Sequence, residues 1–323
     1  MKQVNWGIVG PGGIATDFAQ AINEVNGQIF GVWGRNVEKA RGFADRYGVE
    51  HVYEKTEDMF KDDRIDIVYI ATPHSIHYSF IIDALNSGKH VLCEKAITMN
   101  GEQLQEIINL AESKKLIVAE AMTIYHMPLY KKLQDIIQEG KIGKVNMVNV
   151  TFGSCKEDDP TNRFFNPDLA GGGMLDIGTY ALSFTRFFLS SQPTELHTTV
   201  KKYETGVDEQ SGIVLKNDQD EMAVVSLAMR AKMPKRGIVA GDEGFITVDN
   251  FPRADKATIT YTSDGSVETI EAGEERRALM YEVEAMNDLI LNNKENWTLS
   301  LSRQVMSLMD VARQKWDLTY HFE

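Results

Sequence analysis

The stretch Val4-Asn5-Trp6-Gly7-Ile8-Val9-Gly10-Pro11-Gly12-Gly13-Ile14-Ala15 decides how the chain is read. Its apolar start reads as a β-strand from Val4 to Gly10, and a helical pattern follows, so G-x-G-x-x-A falls on a strand-to-helix turn. Each small residue has a mechanical task there. Gly10 permits the tight turn, Gly12 lets backbone approach a pyrophosphate, and Ala15 lets the helix pack closely on the strand. The first helical amides, around Gly13 and Ile14, then face the anion. A glycine-rich turn without a ligand is the bland alternative, and the strand-motif-helix order favours a dinucleotide.

About twenty residues on, an NAD-selecting fold places an acid that binds the ribose 2′-hydroxyl. This chain has Gly34-Arg35-Asn36 instead. A carboxylate repels a 2′-phosphate, whereas the Arg35 guanidinium pairs with one and stacks on adenine. NADP is therefore the expected cofactor, with NAD possible if Glu38 or another acid serves the ribose.

Working outward, further strands read near Ile29 to Trp33, Ile65 to Thr72, His90 to Glu94 and Leu116 to Ala121, separated by helical patterns. That alternation is the signature of a parallel sheet with crossover helices. Asn36 to Gly48 brackets one helix, Ser75 to Gly88 a second, and Asn100 with Gln103 resembles a capping box. Within that third helix Leu104, Ile107, Ile108 and Ala111 share a face. After Ala121 the rhythm changes to strands separated by turns: Val145 to Phe152, Glu195 to Lys202, Ser211 to Leu215, Met222 to Met229, Phe245 to Val248 and Ala257 to Thr262. Asn217-Asp218 and Asp264-Gly265 supply turn chemistry, and antiparallel pairing is the simpler expectation. Two helices, Ala278 to Ile290 and Leu301 to Trp316, close the chain. The fold class is α/β: a Rossmann dinucleotide-binding domain over 1–121, then an α+β substrate-binding and oligomerisation domain over 122–323 with a large, mainly antiparallel open sheet. A cleft between two lobes is the natural ligand site.

Bulk properties fit that picture. With 323 residues, 43% hydrophobic and 25% charged, the chain has the composition of a folded protein with room for two domains. Its net charge of −13 disfavours nucleic acid and anionic membrane surfaces as partners. Cys93 and Cys155 lie far apart, outside any zinc or disulfide spacing, which points to a reducing compartment. Neither a signal peptide nor a long apolar run is visible, so a cytoplasmic location is expected.

Two further clusters sit at strand ends, where open α/β sheets bind ligands. In Ala71-Thr72-Pro73-His74-Ser75-Ile76-His77, Pro73 turns the chain from the sheet and Ser75 can cap a helix; the histidines read as loop residues beside a cofactor. As a metal pair, His74 and His77 lack partners with ligand spacing, and no metal site is expected. Gly88-Lys89-His90-Val91-Leu92-Cys93-Glu94-Lys95-Ala96 ends a strand on an adjacent acid and base. Taken alone, Lys95 would read as a snorkelling surface lysine. In the second half, Ala170-Gly171-Gly172-Gly173-Met174-Leu175-Asp176-Ile177-Gly178-Thr179-Tyr180 starts a helix near Gly173, with Asp176 and Tyr180 at i and i+4 on one face. Periodicity alone makes Tyr180 a packing aromatic.

The ordered set G-x-G-x-x-A, ATPxxxH, GKHVLxEK and AGGGxLxDxGxY resembles the glucose-fructose oxidoreductase, inositol dehydrogenase and rhizopine-catabolism (Gfo/Idh/MocA) family over nearly the whole chain. The resemblance implies that Lys95 lies beside nicotinamide and substrate, and that Thr72, Pro73, His77, Glu94 and Arg163 border the cofactor. Ala96 replaces the proline of the family's EKP motif, for which a less rigid loop is expected. Tyr180, where many members carry His, resembles the NADP-preferring dihydrodiol dehydrogenase-like branch, in agreement with Arg35. The implied activity is hydride transfer between nicotinamide and a hydroxyl or carbonyl carbon of a sugar, polyol, trans-dihydrodiol or small dicarbonyl. Tyr180 is the candidate acid/base. A free tyrosine titrates near ~10, so it needs a cation such as Lys95, and Lys95 is itself the alternative proton carrier. Asp176 would orient a hydroxyl, while Phe164 and Phe165 would wall the substrate. A non-catalytic NAD(P)-binding sensor is the competing reading, against which the retained Lys95 and Tyr180 argue. Strand Met222 to Met229 is apolar at both parities: Met222, Val224 and Ala228 on one side, Ala223, Val225, Leu227 and Met229 on the other. Both faces are expected to be buried, one by a partner subunit in a homodimer or tetramer, with Val225 and Leu227 as contact residues.

Overall fold

A computed structural model describes residues 3–323. Two compact units result, one from the chain up to Met122 with Arg276–Leu299, the other from Thr123–Glu275 with Ser300–Glu323.

In the first unit the elements run β1 (Asn5–Val9), α1 (Gly13–Glu24), β2 (Gln28–Trp33), α2 (Val37–Tyr47), β3 (His51–Tyr53), α3 (Thr56–Phe60), β4 (Ile67–Ile70), α4 (His77–Asn86), β5 (His90–Glu94), α5 (Gly101–Lys114) and β6 (Val118–Ala121). The sheet order is β3-β2-β1-β4-β5-β6, with every pair parallel. This is the doubly wound Rossmann order, and it places the turns after β1 and β4 side by side at the reversal point. The central strands are apolar on both faces because helices cover both: all four residues of β4 are buried. Phe18 of α1 stacks on Tyr69 of β4 at 3.8 Å, and Trp6 meets Phe18 edge-on at 5.4 Å. Sequence reasoning passed over β3 and α3, which are short and only partly apolar.

A later segment belongs to this core. Helix α8 (Ala278–Asn292) buries Leu279, Met280, Val283, Met286 and Leu289 in the same cluster as Trp6 and Phe18. Trp6 Nε1 also donates to Asn287 Oδ1 at 3.2 Å. Assigning all of 122–323 to one domain is thus corrected at 276–299. Five buried apolar side chains, each stabilising by roughly 1.5–3 kcal/mol, outweigh chain order.

Capping follows the sequence at two helices. Asn36 Oδ1 accepts from Lys39 N at 2.9 Å while left-handed Gly48 ends α2. Asn100 Oδ1 accepts from Gln103 N, and Gln103 Oε1 accepts from Met99 N, one residue before a regular box. The Ser75 start is corrected. Extended Pro73 leads into a short 3₁₀ turn, His74–Ile76, and α4 begins only at His77.

The second unit holds α6 (Pro128–Gln138), β7 (Val145–Gly153), α7 (Thr179–Phe188), β8 (Glu195–Lys202), β9 (Asp208–Lys216), β10 (Met222–Ala228), β11 (Met233–Gly241), β12 (Gly244–Asp249), β13 (Lys256–Tyr261), β14 (Val267–Glu271) and most of α9 (Thr298–Lys315). Strand order is β14-β13-β12-β11-β7-β10-β9-β8, antiparallel except for the parallel pair β7 and β10. Strands β11 and β14 were not read from sequence. Pro234, Gly237 and two cations hide the alternation in β11, which also carries a register shift between Met233 and Arg236.

The two faces of this sheet differ. Val148, Val150, Ala223, Val225, Val239 and Ile246 form a buried face under α7, whose Phe184 ring fills the space where a side chain at Gly237 would stand. On the opposite face Met147, Val214, Met222 and Phe245 are 36 to 37% exposed, with Val224 and Ile238 half-buried among them. The expectation that Val225 and Leu227 face a partner subunit is therefore corrected. Val225 and Leu227 lie under this chain's own helix, and the open face belongs to Met222 and Val224. Among the described residues no helix is long and apolar enough to cross a membrane.

Candidate functional site

In the first unit the site grows from backbone. Gly10 has φ +92°, and a Cβ there would stand 2.8 Å from the Ala71 carbonyl oxygen, so only glycine lets the two turns pack. Helix α1 begins at Gly13 with half-exposed Gly12 at its cap and no side chain over its first amides. A Cβ at Gly12 or Gly13 would meet nothing within 4 Å, which leaves open space above donors that no helical carbonyl satisfies. Ala15 is buried against the sheet. Half-exposed Thr72 carries a buried hydroxyl with no hydrogen-bond partner in this structure, and its methyl lies 3.0 Å from the Gly10 Cβ position. Open space, orphan amides and an unpartnered hydroxyl fit a bound pyrophosphate and its flanking groups.

The end of β2 borders this turn. Gly34 is buried against the Pro11 ring, 2.7 Å from a Cβ position, while Arg35 and Asn36 are exposed. Glu38, the alternative ribose acid, is held by Arg41 at 2.7 Å, and the Asn36 oxygen is committed to capping α2. Arg35 is thus exposed three residues before a carboxylate that already has a cation.

Around Lys95 the structure supplies what the missing proline does not. His74 Nε2 lies 3.1 Å from the Lys95 carbonyl oxygen, His77 Nδ1 lies 2.9 Å from that of Ala96, and Ile97 N donates to Glu120 Oε1 at 3.1 Å. The Lys95–Ala96 peptide is cis. His77 is fully buried, and its Nε2 lies 2.8 Å from the Thr72 carbonyl oxygen. Completely buried between the carbonyls of Thr72 and Ala96, it sits between two loops, which corrects its reading as a cofactor contact. Burial pushes its pKa down. Pro73 is exposed, and Lys95 and Glu94 are half-buried. Tyr69, whose hydroxyl burial and the Glu94 charge hold well above its ordinary pKa, donates to Glu94 Oε1 at 2.5 Å. The carboxylate next to Lys95 is thereby anchored from β4.

In the second unit Met174–Gly178 forms a π-helical turn that runs into α7 at Thr179. Asp176 is 9% exposed there and Tyr180 half-buried. The Tyr180 ring lies 6.3 Å from that of Phe152, at the end of β7, which meets Phe251 edge-on at 5.8 Å. Lys235 of β11 sets its ammonium 5.1 Å over the Phe152 ring. Burial, then Lys232 and Arg253, push the Lys235 pKa down, while Asp176 opposes them. Asp176, Tyr180, Phe152 and Lys235 thus gather at one place. Sequence reasoning missed Lys235 because β11 went unread, and Phe152 because strand parity was not fixed.

Upstream, half-buried Phe164 lies between Lys156 Nζ at 3.9 Å and Arg163 at 4.3 Å, with Arg163 exposed. Phe165 is fully buried and stacks on Tyr203 at 4.2 Å. Its reading as a substrate wall is corrected: it is core.

Comparison with known proteins agrees with this fold. Residues 4–122 match the oxidoreductase family with an NAD-binding Rossmann fold, and residues 130–247 match the GFO/IDH/MocA C-terminal domain. The chain belongs to the Gfo/Idh/MocA oxidoreductase family and is an NAD(P)-dependent oxidoreductase of that type. It is 29% identical to a trans-1,2-dihydrobenzene-1,2-diol dehydrogenase of Xenopus tropicalis over 98% of both chains. It is 27% identical to scyllo-inositol 2-dehydrogenase (NADP(+)) of Bacillus subtilis, again over 98% of each. A 3-ketoreductase from Actinomadura kijaniata, solved with NADP and TDP-benzene, shares the fold with a TM-score of 0.86 at 21% identity, over 97% of this chain and 98% of that one.

Proposed function

We propose that this protein is an NADP-preferring oxidoreductase that moves a hydride between the nicotinamide and a hydroxyl or carbonyl carbon of a sugar, polyol, trans-dihydrodiol or small dicarbonyl. The observation that carries the cofactor preference is Arg35, exposed just after β2, with the nearby acid in sequence, Glu38, already paired with Arg41. A 2′-phosphate meets a cation there and no uncompensated acid. The names of the diol and inositol relatives support the substrate class. The turn Gly10 to Ala15 would cradle the pyrophosphate, Gly34, Arg35 and Asn36 the adenosine end, and Thr72, Pro73, Glu94, Lys95 and Arg163 the remainder. When bound, the nicotinamide supplies or accepts the hydride.

In this reading Tyr180 gives or takes the proton at the substrate oxygen, Asp176 orients a neighbouring hydroxyl, and a cation favours the phenolate. The family resemblance gives that role to Lys95, and within the second unit Lys235 brings a positive charge near Asp176 and Phe152. Phe152 and Phe164 form the apolar walls. The test follows NADPH absorbance with aldoses, inositols, trans-dihydrodiols and dicarbonyls, in both directions. Turnover with one class and a lower KM for NADP(H) than for NAD(H) is expected; tight cofactor binding without turnover of any class sinks the proposed substrate range.

The same proposal includes a cytoplasmic setting and self-association. The open face of Met147, Met222, Val224 and Phe245 supports a homodimer, or a tetramer built from it, through an isologous sheet-to-sheet contact.

A further inference from the structure

The glycine turn that leads into Asp176 and Tyr180 is fastened from a distant strand. Asp208, the first residue of β9, is 1% exposed, and its Oδ2 accepts from Met174 N at 2.6 Å. Its Oδ1 is buried and has no hydrogen-bond partner in this structure. Gly172 has φ +127°, and a Cβ there would stand 2.3 Å from Asp208 Oδ1; one at Gly173 would stand 3.2 Å from Oδ2. The turn is therefore bare because the carboxylate occupies the space. Tyr320 secures the same turn from the other side, its hydroxyl donating to the Gly171 carbonyl at 2.5 Å.

The charged groups facing Asp208 are few. Arg313 of α9 favours its ionised form and is itself bound to Glu323 at 2.7 Å; Tyr320 lies alongside, its N donating to Glu323 Oε2. The adjoining Glu209 is paired with Lys201 at 2.6 Å.

We propose that Asp208 is a positioning residue, whose ionised carboxylate fixes the Gly171–Met174 turn and so sets where the following helical turn delivers Asp176 and Tyr180. This rests on the reading of those two residues as groups at the reacting centre. A merely structural cap would not need this charge. Burial pushes the Asp208 pKa up to about 6, against the pull of the Met174 amide and Arg313. A carboxylate whose folded pKa is raised contributes most stability below its unfolded value near ~3.9, and that contribution is lost as pH rises through the folded value. At pH 8 the charge is held at a cost to stability, the usual mark of a group kept for function.

Two variants test this in the full-length protein. Asp208→Ala should lose hydrogen-exchange protection over residues 171–180 alone and drop kcat about 10²-fold, the scale of a misplaced catalytic group, at little change in Kd for NADPH. Asp208→Asn keeps an acceptor for Met174 N. It should restore most of that protection and part of kcat, while its Tm exceeds wild type at pH 8 and the gap falls to about half by pH 5 and closes near pH 4. Unchanged exchange in Asp208→Ala overturns the proposal, as does an Asp208→Asn less stable than wild type at pH 8. Local loss of protection with wild-type turnover instead overturns the roles given to Asp176 and Tyr180.

Discussion

The two units assemble their candidate functional residues in opposite ways. In the first, each element lies in a run of adjacent residues at the end of a parallel strand: Gly10 to Ala15 after β1, Gly34 to Asn36 after β2, Thr72 and Pro73 after β4, Glu94 and Lys95 at β5. In the second, Phe152, Asp176, Tyr180, Asp208, Lys235 and Tyr320 come from β7, the π-helical turn, α7, β9, β11 and the segment after α9. A parallel sheet gathers its turns at one edge, so contiguous motifs suffice. A mostly antiparallel sheet gathers side chains across strands, and sequence separation says little about which ones meet.

The comparison can be broken first in the second sheet, where the expected effects are largest. Val225→Glu places an unpaired charge under α7 and should cost several kcal/mol, enough to abolish a cooperative melt. Val224→Glu, one residue away on the open face, should fold normally and dissociate the proposed dimer, as light scattering at micromolar concentration would record. A monomeric wild type, or a dimer untouched by Val224→Glu, removes the sheet contact. Next, Tyr180→Phe and Lys95→Met should each lower kcat about 10²-fold or more, near 2.7 kcal/mol of barrier, with NADPH affinity little changed in Tyr180→Phe. Near-wild-type turnover in either variant withdraws its role. The smallest effect belongs to the first unit: Arg35→Ala should weaken NADPH relative to NADH by about tenfold, one lost charged contact, without altering the chemical step. Titration calorimetry decides it, and unchanged discrimination excludes Arg35.

How much was legible follows from the same contrast. The strand boundaries of β5 and β8, the Asn36 and Asn100 caps and the glycine turn were read from local pattern, because hydrogen bonding within a few residues fixes them. The roles of His77 and Phe165 were misread. Residue type suggested ligand contact, whereas complete burial, with the His77 ring set between two backbone carbonyls, excludes it.

The sequence by itself determined the Rossmann turn, the absence of a ribose acid at position 35, the change to sheet-forming rhythm after Ala121 and the family. Such features depend on backbone conformation and residue type at fixed spacing, which local sterics and hydrogen bonds dictate. Only the tertiary structure decided that 276–299 joins the first core, that Met222 and Val224 rather than Val225 and Leu227 lie on the open face, that Lys235 reaches Phe152 and that Asp208 underpins the glycine turn. Those outcomes depend on which surfaces leave water together across long stretches of chain, and no local pattern encodes a partner so distant in sequence.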